Sequence, residues 1–342
     1  MSTTRRAELL PFGTHPTALL HRQPGGVWLA AWAAGIVRPG RTEGWDRVKR
    51  GEWLHRIEQL DPERDHHEIY RIMVAHEFPW DMNQSLSFAL FRTYAVPSIG
   101  ALLARTGEFE QRAQKRYEDT GLILDAVLEH GVGSIQGRAA VRRMNQMHGA
   151  YDISNDDMRY VLSAFVVMPI EWMDAYGWRR FTEHEKVASA NYYRVLGRQM
   201  NIRDLPATWQ DFRALLQDYE HAHFGFDPGG RTVADATMAL LRTLPPNDKL
   251  PAAVVRQLSL ALLDNPLLDA FGFPHPSPVV RAVARAGLKA RARFVRLLPP
   301  REQPLHVRDF PTIRGYPDGY DVSRLGTFPT GPGCGGGTGP AR

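Results

Sequence analysis

The chain has 342 residues, 43% of them apolar, with 42 Lys and Arg against 37 Asp and Glu, 13 His and a single Cys. That composition supports a large buried core and excludes disorder for most of the length. One cysteine, Cys334 in a Gly-rich tail, excludes an intrachain disulfide, a Cys-cluster zinc site and an iron–sulfur centre, so any metal or haem chemistry falls to His, Asp, Glu or Tyr.

A net charge of +5 is too small to nominate nucleic acid as a partner. No run reaches the roughly 20 apolar residues that span a bilayer. Val27 to Val37 is about half that length and ends at Arg38, and the first residues lack the apolar stretch of a secretory signal. The expected location is cytoplasmic.

Period-two strand patterns hardly occur, whereas helical spacing recurs throughout, so the expected class is all-α. An N-terminal arm (1–40) precedes one large helical domain (41–298), and a Pro/Gly-rich tail (299–342) should wrap the surface or be disordered. His67 to His76 places Ile69, Ile72, Met73 and His76 at helical spacing, and Leu86 to Tyr94 continues before Pro97. Phe109 to His130 reads as one long helix between Gly107 and Gly131. Ser154 to Asp157 resembles a capping box ahead of a helix that Pro169 should break or kink. Thr182 and Glu185 form a stronger box, with a helix to Met200. Val233–Leu244 and Val254–Leu263 are two more helices around Pro245-Pro246. From Ser277 to Leu298 the pattern is amphipathic and basic. Between Val279 and Arg308, eight Lys and Arg against Glu302 alone leave a local charge of +7.

Two sets of residues can carry chemistry. Arg116 and Thr120 stand four apart on one helical face with Asp119 alongside, where a cation and a hydroxyl can cradle an anion or polarise a bound oxygen. The same residues also fit a solvated face with an internal ion pair. Val141, Met144 and His148 fall at i, i+3 and i+7, which puts His148 on an apolar face near a helix end, with Gly149 as a C-cap. A neutral imidazole there suits an iron in a dry pocket. A core histidine bonded to a backbone carbonyl, or a charge at a helix C-terminus, fits the same spacing. His66-His67 and His221-Ala-His223 have spacings that point to different faces, so they read as surface histidines. Trp172, Trp178 and Tyr192-Tyr193 read as core aromatics. No Walker loop, GxGxxG after a strand or GxSxG elbow occurs.

Across residues 45 to 245 the ordered motifs Glu77-Phe78-Pro79, Arg92-Thr93 with Val96-Pro97, Thr106-Gly107-Glu108-Phe109, Arg116-x-x-Asp119-Thr120, Met147-His148, Ile153 to Asp157, Pro169-Ile170-Glu171-Trp172, Tyr176 to Arg179 and Gly197 to Met200 occur together. A weaker echo is Tyr316-Pro-Asp-Gly-Tyr320. In this order they resemble the MpaB-type oxygenases and the latex-clearing rubber oxygenases. The resemblance implies a globin-like core holding haem b, with iron bound by His148 and with Arg116 and Thr120 on the opposite side. It also implies an oxygenase that uses O2 to cleave a C=C bond of a small apolar, isoprenoid-like substrate. Rubber oxygenases carry a lysine where this chain has Asp119, and their distal glutamate has no counterpart near Ser98-Ile99-Gly100. Asp119 follows the MpaB-type pattern, where a carboxylate beside Arg116 can orient the guanidinium or take a proton from substrate. Phe78, Trp80, Phe88 and Phe91 are candidate lining residues, and Arg142 and Arg143 are candidates for the haem propionates. Two other classes fit the residues: a haem protein with a redox or sensing task, and a haem-free helical protein that contacts a membrane surface through residues 279–298.

Overall fold

The computed structural model of the protein describes residues 49–327. The N-terminal arm, the Val27–Val37 run and Cys334 lie outside the described residues. Within them the chain folds into α1 (Glu52–Glu58), α2 (His66–Ile72), α3 (Pro79–Thr93), α4 (Pro97–Arg105), α5 (Glu108–Gln111), α6 (Ala113–His130), α7 (Ile135–His148), α8 (Asn155–Tyr176), α9 (Glu183–Gln199), α10 (Trp209–His223), α11 (Pro228–Leu241), α12 (Ala252–Ala261), α13 (Asn265–Phe271) and α14 (Pro278–Leu297). No strand occurs among the described residues, and the fold is all-α.

The helix starts follow capping chemistry. Ser154 Oγ accepts from Asp157 N–H at 3.0 Å. Thr182 and Glu185 close a full capping box, with Glu185 N–H donating to Thr182 Oγ1 and Thr182 N–H to Glu185 Oε2. Two sequence expectations fail here. Phe109 to His130 is not one helix: the backbone breaks at Arg112 (φ −141°, ψ 40°), so α5 and α6 meet at an angle, with the Arg112 guanidinium bonded back to Glu108. Pro169 does not end α8, which runs on to Tyr176. Proline removes one backbone donor, but Tyr160, Ala164, Val166, Val167, Ile170 and Met173 are almost fully buried around it. That burial outweighs the single lost hydrogen bond.

Helix α8 is the central strut, packed between α3 and α10, while α2 packs on α9, α6 on α7, α4 on α11 and α12 on α14. The α4–α11 crossing is close because a Cβ on Gly100 would lie 2.6 Å from the Gly230 Cα. Buried ion pairs pin the periphery to this core. Arg179 bonds Glu77 (2.7 Å) and Glu185 (2.7 Å), Arg92 bonds Glu220 and Asp264, and Asp81 accepts from Arg291 (2.9 Å) and Trp172 Nε1 (3.1 Å). Burial raises the Glu77, Asp81 and Glu220 carboxyls, and the facing guanidinium opposes it in each case. After α14, residues 298–327 form no long helix and lie along α6 and α7.

Candidate functional site

Helices α3, α4, α6, α7 and α8 surround an internal cavity of about 800 Å³ whose walls are mostly apolar. Arg116, Thr120 and His148 all line it, as do Trp80, Phe88 and Phe91. Phe78 does not: it is buried between Trp178 and Phe181 beneath the Arg179 guanidinium, in the core.

His148 is the last residue of α7, held by the packing of Val141 and Met144 on the core. Its Nδ1 is buried without a hydrogen-bond partner among the described residues. Burial, and then the nearby Arg116 charge, pull its pKa down to about 4, so the ring is neutral at physiological pH. This departs from the core histidine that the sequence also allowed, because no carbonyl takes the ring. A neutral imidazole with a buried, unbonded ring nitrogen leaves a polar atom unsatisfied, and such groups call for an explanation.

Arg116 stands in the same condition. It makes no ion pair among the described residues, its Nε is buried without a partner, and its guanidinium lies 5.5 Å from the Phe109 ring centroid. Thr120 is one turn further on, with its hydroxyl donating to the Arg116 carbonyl at 2.8 Å. Its oxygen therefore faces the cavity as an acceptor, with the hydrogen already engaged in the helix.

Asp119 is placed differently from the expectation. Its carboxylate accepts from Lys115 Nζ (2.5 Å), the Tyr316 hydroxyl and the Gly326 N–H (2.9 Å), and it does not contact Arg116. Residues 115, 116, 119 and 120 straddle two faces of α6; the 119 face meets the C-terminal segment, and Asp119 lines the cavity beside Gly326. Glu118 beside it accepts from Arg314 N–H (2.6 Å), Gly315 N–H (3.0 Å) and Gln114. Two to three turns on, Arg308 bonds Glu129, and His306 lies 3.4 Å from Asp125. Asp125, Glu129 and His306 bring one ligand atom each within 4.8 Å, but the Arg308 cation already fills that group.

The Arg143 guanidinium donates to the Leu325 carbonyl (2.7 Å) and the Thr327 carbonyl (2.8 Å), while Arg142 is exposed. Gly326 sits between them at φ +81°, where a Cβ would strike the Met147 sulfur at 1.9 Å, so both conformation and space demand glycine. Gly326 and Thr327, with Leu305, Val307 and Phe310, complete the cavity wall. Sequence reasoning missed this C-terminal contribution, whose one signal was the Tyr316 to Tyr320 echo. His66, His67, His221 and His223 do not converge: His67 bonds the Leu128 carbonyl (2.7 Å) and His223 is exposed on Tyr219.

Residues 81–297 match the family described as ER-bound oxygenase mpaB/B'/Rubber oxygenase, catalytic domain. The chain is 32% identical over 259 residues to ER-bound oxygenase mpaB' of Penicillium brevicompactum, covering 70% of this chain and 60% of that protein. It is 31% identical over 191 residues to ER-bound oxygenase mpaB of the same organism, covering 51% and 49%, and 32% identical over 188 residues to mpaB of Penicillium roqueforti, covering 49% and 63%. It thus spans about half to two-thirds of the length of these relatives. With nearly the whole helical body inside the match, the chain belongs to the family of MpaB-type and rubber oxygenase catalytic domains.

Proposed function

We propose that this protein is a haem b-dependent oxygenase that uses O2 on a small apolar substrate carrying a C=C bond, with His148 as the iron ligand in a globin-like core. The observation that carries the reading is that one apolar cavity holds both a neutral imidazole and a guanidinium that have no hydrogen-bonded or ionic partner among the described residues. The residues fit the group: His148 offers a donor that needs no deprotonation, and the cavity is dry on most sides. When bound, haem would supply the O2 chemistry. Arg116 would donate to charge building on an oxygen in the cavity, where few water dipoles compete. Thr120 would accept a hydrogen bond there. Trp80, Phe88 and Phe91 would hold an apolar chain and exclude water. Asp119, bonded as it is, would act on this reading by fixing the C-terminal wall, not as a base.

The relatives are described as ER-bound, which supports work at a membrane surface; among the described residues no single helix is long and apolar enough to cross a membrane.

The test is spectroscopic. Protein produced with haem supplied should show a Soret band that shifts on dithionite reduction with CO, and His148→Ala should lose it. O2 uptake with a panel of apolar alkenes should follow in the wild type alone. A full Soret band and full activity in His148→Ala would overturn the assignment. Haem binding without O2 uptake would favour a redox or sensing task.

A further inference from the structure

Helix α14 presents three faces. Leu288, Arg291 and Ala292 turn to the body, where Arg291 bonds Asp81 under Trp80. On a second face Arg285, Lys289, Arg293 and Arg296 are exposed, and among the described residues none of the four makes an ion pair. The helix contains no acidic residue. On the third face Val279, Val283, Ala286, Ala290, Phe294 and Leu297 share one sector of the helical wheel. All are exposed, Val279 at 71%, Val283 at 59% and Leu297 at 83%. Leu250 and Val254, at the neighbouring α12, extend this surface, so it holds six of the eight exposed large hydrophobics among the described residues. Scattered exposed apolar residues are ordinary; a continuous stripe beside an unpaired basic face is not.

The stripe also has a position. Six exposed residues line the cavity among the described ones: Ser98, Arg105 and Asp152 lie on other sides, and Leu250, Val283 and Gly287 mark an opening between α12 and α14. We propose that this face seats that opening on an anionic lipid bilayer. The valines, Phe294 and Leu297 would enter the acyl boundary, and the four cations would meet lipid phosphates beside it. An amphipathic helix with a basic flank lies in the membrane plane by this division of faces. An apolar molecule could then pass from bilayer to cavity without crossing water. That last purpose rests on the oxygenase reading; the docking itself does not.

The experiment uses the full chain, floated with vesicles of phosphatidylcholine alone or mixed with phosphatidylserine. The wild type should bind the anionic vesicles and leave them at high salt. Combined Arg285→Glu, Lys289→Glu, Arg293→Glu and Arg296→Glu should lower that partitioning about a hundredfold. Val283→Asp with Leu297→Asp should do so too, with an unchanged melting curve, since these side chains are already in water. Cys334→Ser with Phe294→Cys allows a polarity-sensitive dye to be placed on the stripe, and its emission should shift to the blue on anionic vesicles only. The proposal is overturned if the variants bind as the wild type does, if the wild type binds neither vesicle, or if the lipid-free protein is a dimer that Val283→Asp with Leu297→Asp dissociates. Haem content, read separately, reports on the oxygenase reading, so the two can fail independently.

Discussion

The two sides of α6 carry similar numbers of polar residues and treat them in opposite ways. Toward the C-terminal segment, Glu118, Asp119 and Glu129 all receive donors, most of them backbone N–H groups or cations contributed nearly 200 residues away. Toward the cavity, Arg116 keeps a buried Nε with no acceptor among the described residues, and across from it His148 keeps a buried Nδ1 with no partner among them. An unmatched buried polar group costs about 1–3 kcal/mol. One face of the helix therefore contributes cohesion, and the other holds polar groups that none of the described residues satisfies.

Substitutions can break or sharpen that contrast. The largest expected effect is on the cavity side, where His148→Ala should abolish the Soret band while leaving urea stability unchanged or slightly raised, as relief of an unsatisfied polar atom requires. Arg116→Met should lower turnover by about 10²–10³, the size seen when one donor to a developing charge is removed, with a shift in melting free energy below about 1 kcal/mol. On the other side the outcomes should reverse. Asp119→Ala leaves Lys115, Tyr316 and the Gly326 N–H without their acceptor, and should cost about 3 kcal/mol in urea unfolding. A smaller effect is expected with pH. In the cofactor-free protein burial holds His76 and His148 near pKa 4, against 6.5 for a free imidazole. The unfolded chain then binds more protons between these values, so stability should fall as pH drops from 6.5 to 4, by about 2 kcal/mol for each ring. His306, raised by Asp125, works in the opposite sense and is most stabilising at low pH. His148→Leu should remove part of the acid sensitivity in a denaturant–pH series. Least of all, Thr120→Val removes one helix-internal hydroxyl bond and should change stability by less than about 1 kcal/mol.

How far the sequence could be read follows from where each signal resides. Capping residues and helical periodicity are local, so Ser154, Thr182 and the basic helix beginning after Ser277 were readable directly. Helical spacing likewise put His148 on an inward face, and it set Arg116 and Thr120 on one face without deciding whether that face meets solvent. The break at Arg112 and the continuity of α8 through Pro169 were not readable, because tertiary packing decides both. Most of the ordered motifs proved to be cohesive: Glu77 and Arg179 form one buried pair, Arg92 binds Glu220, and Asp157 accepts from Ser98 and Tyr219. Such motifs reveal kinship because folding needs them, and they say little about chemistry. Asp119 shows the limit most plainly, since adjacency to Arg116 in sequence gave no hint that its partners lie at Tyr316 and Gly326.

The bond from Arg143 to the Leu325 carbonyl joins residues 182 positions apart, and that span has a consequence for the order of assembly. During synthesis the N-terminal helices emerge and collapse first, so α6, α7 and α8 can meet while the wall formed by Leu305 to Thr327 does not yet exist. For that interval the acceptors and donors that Glu118, Asp119 and Arg143 turn to the C-terminal segment face water, and the last segment closes over them as a seam.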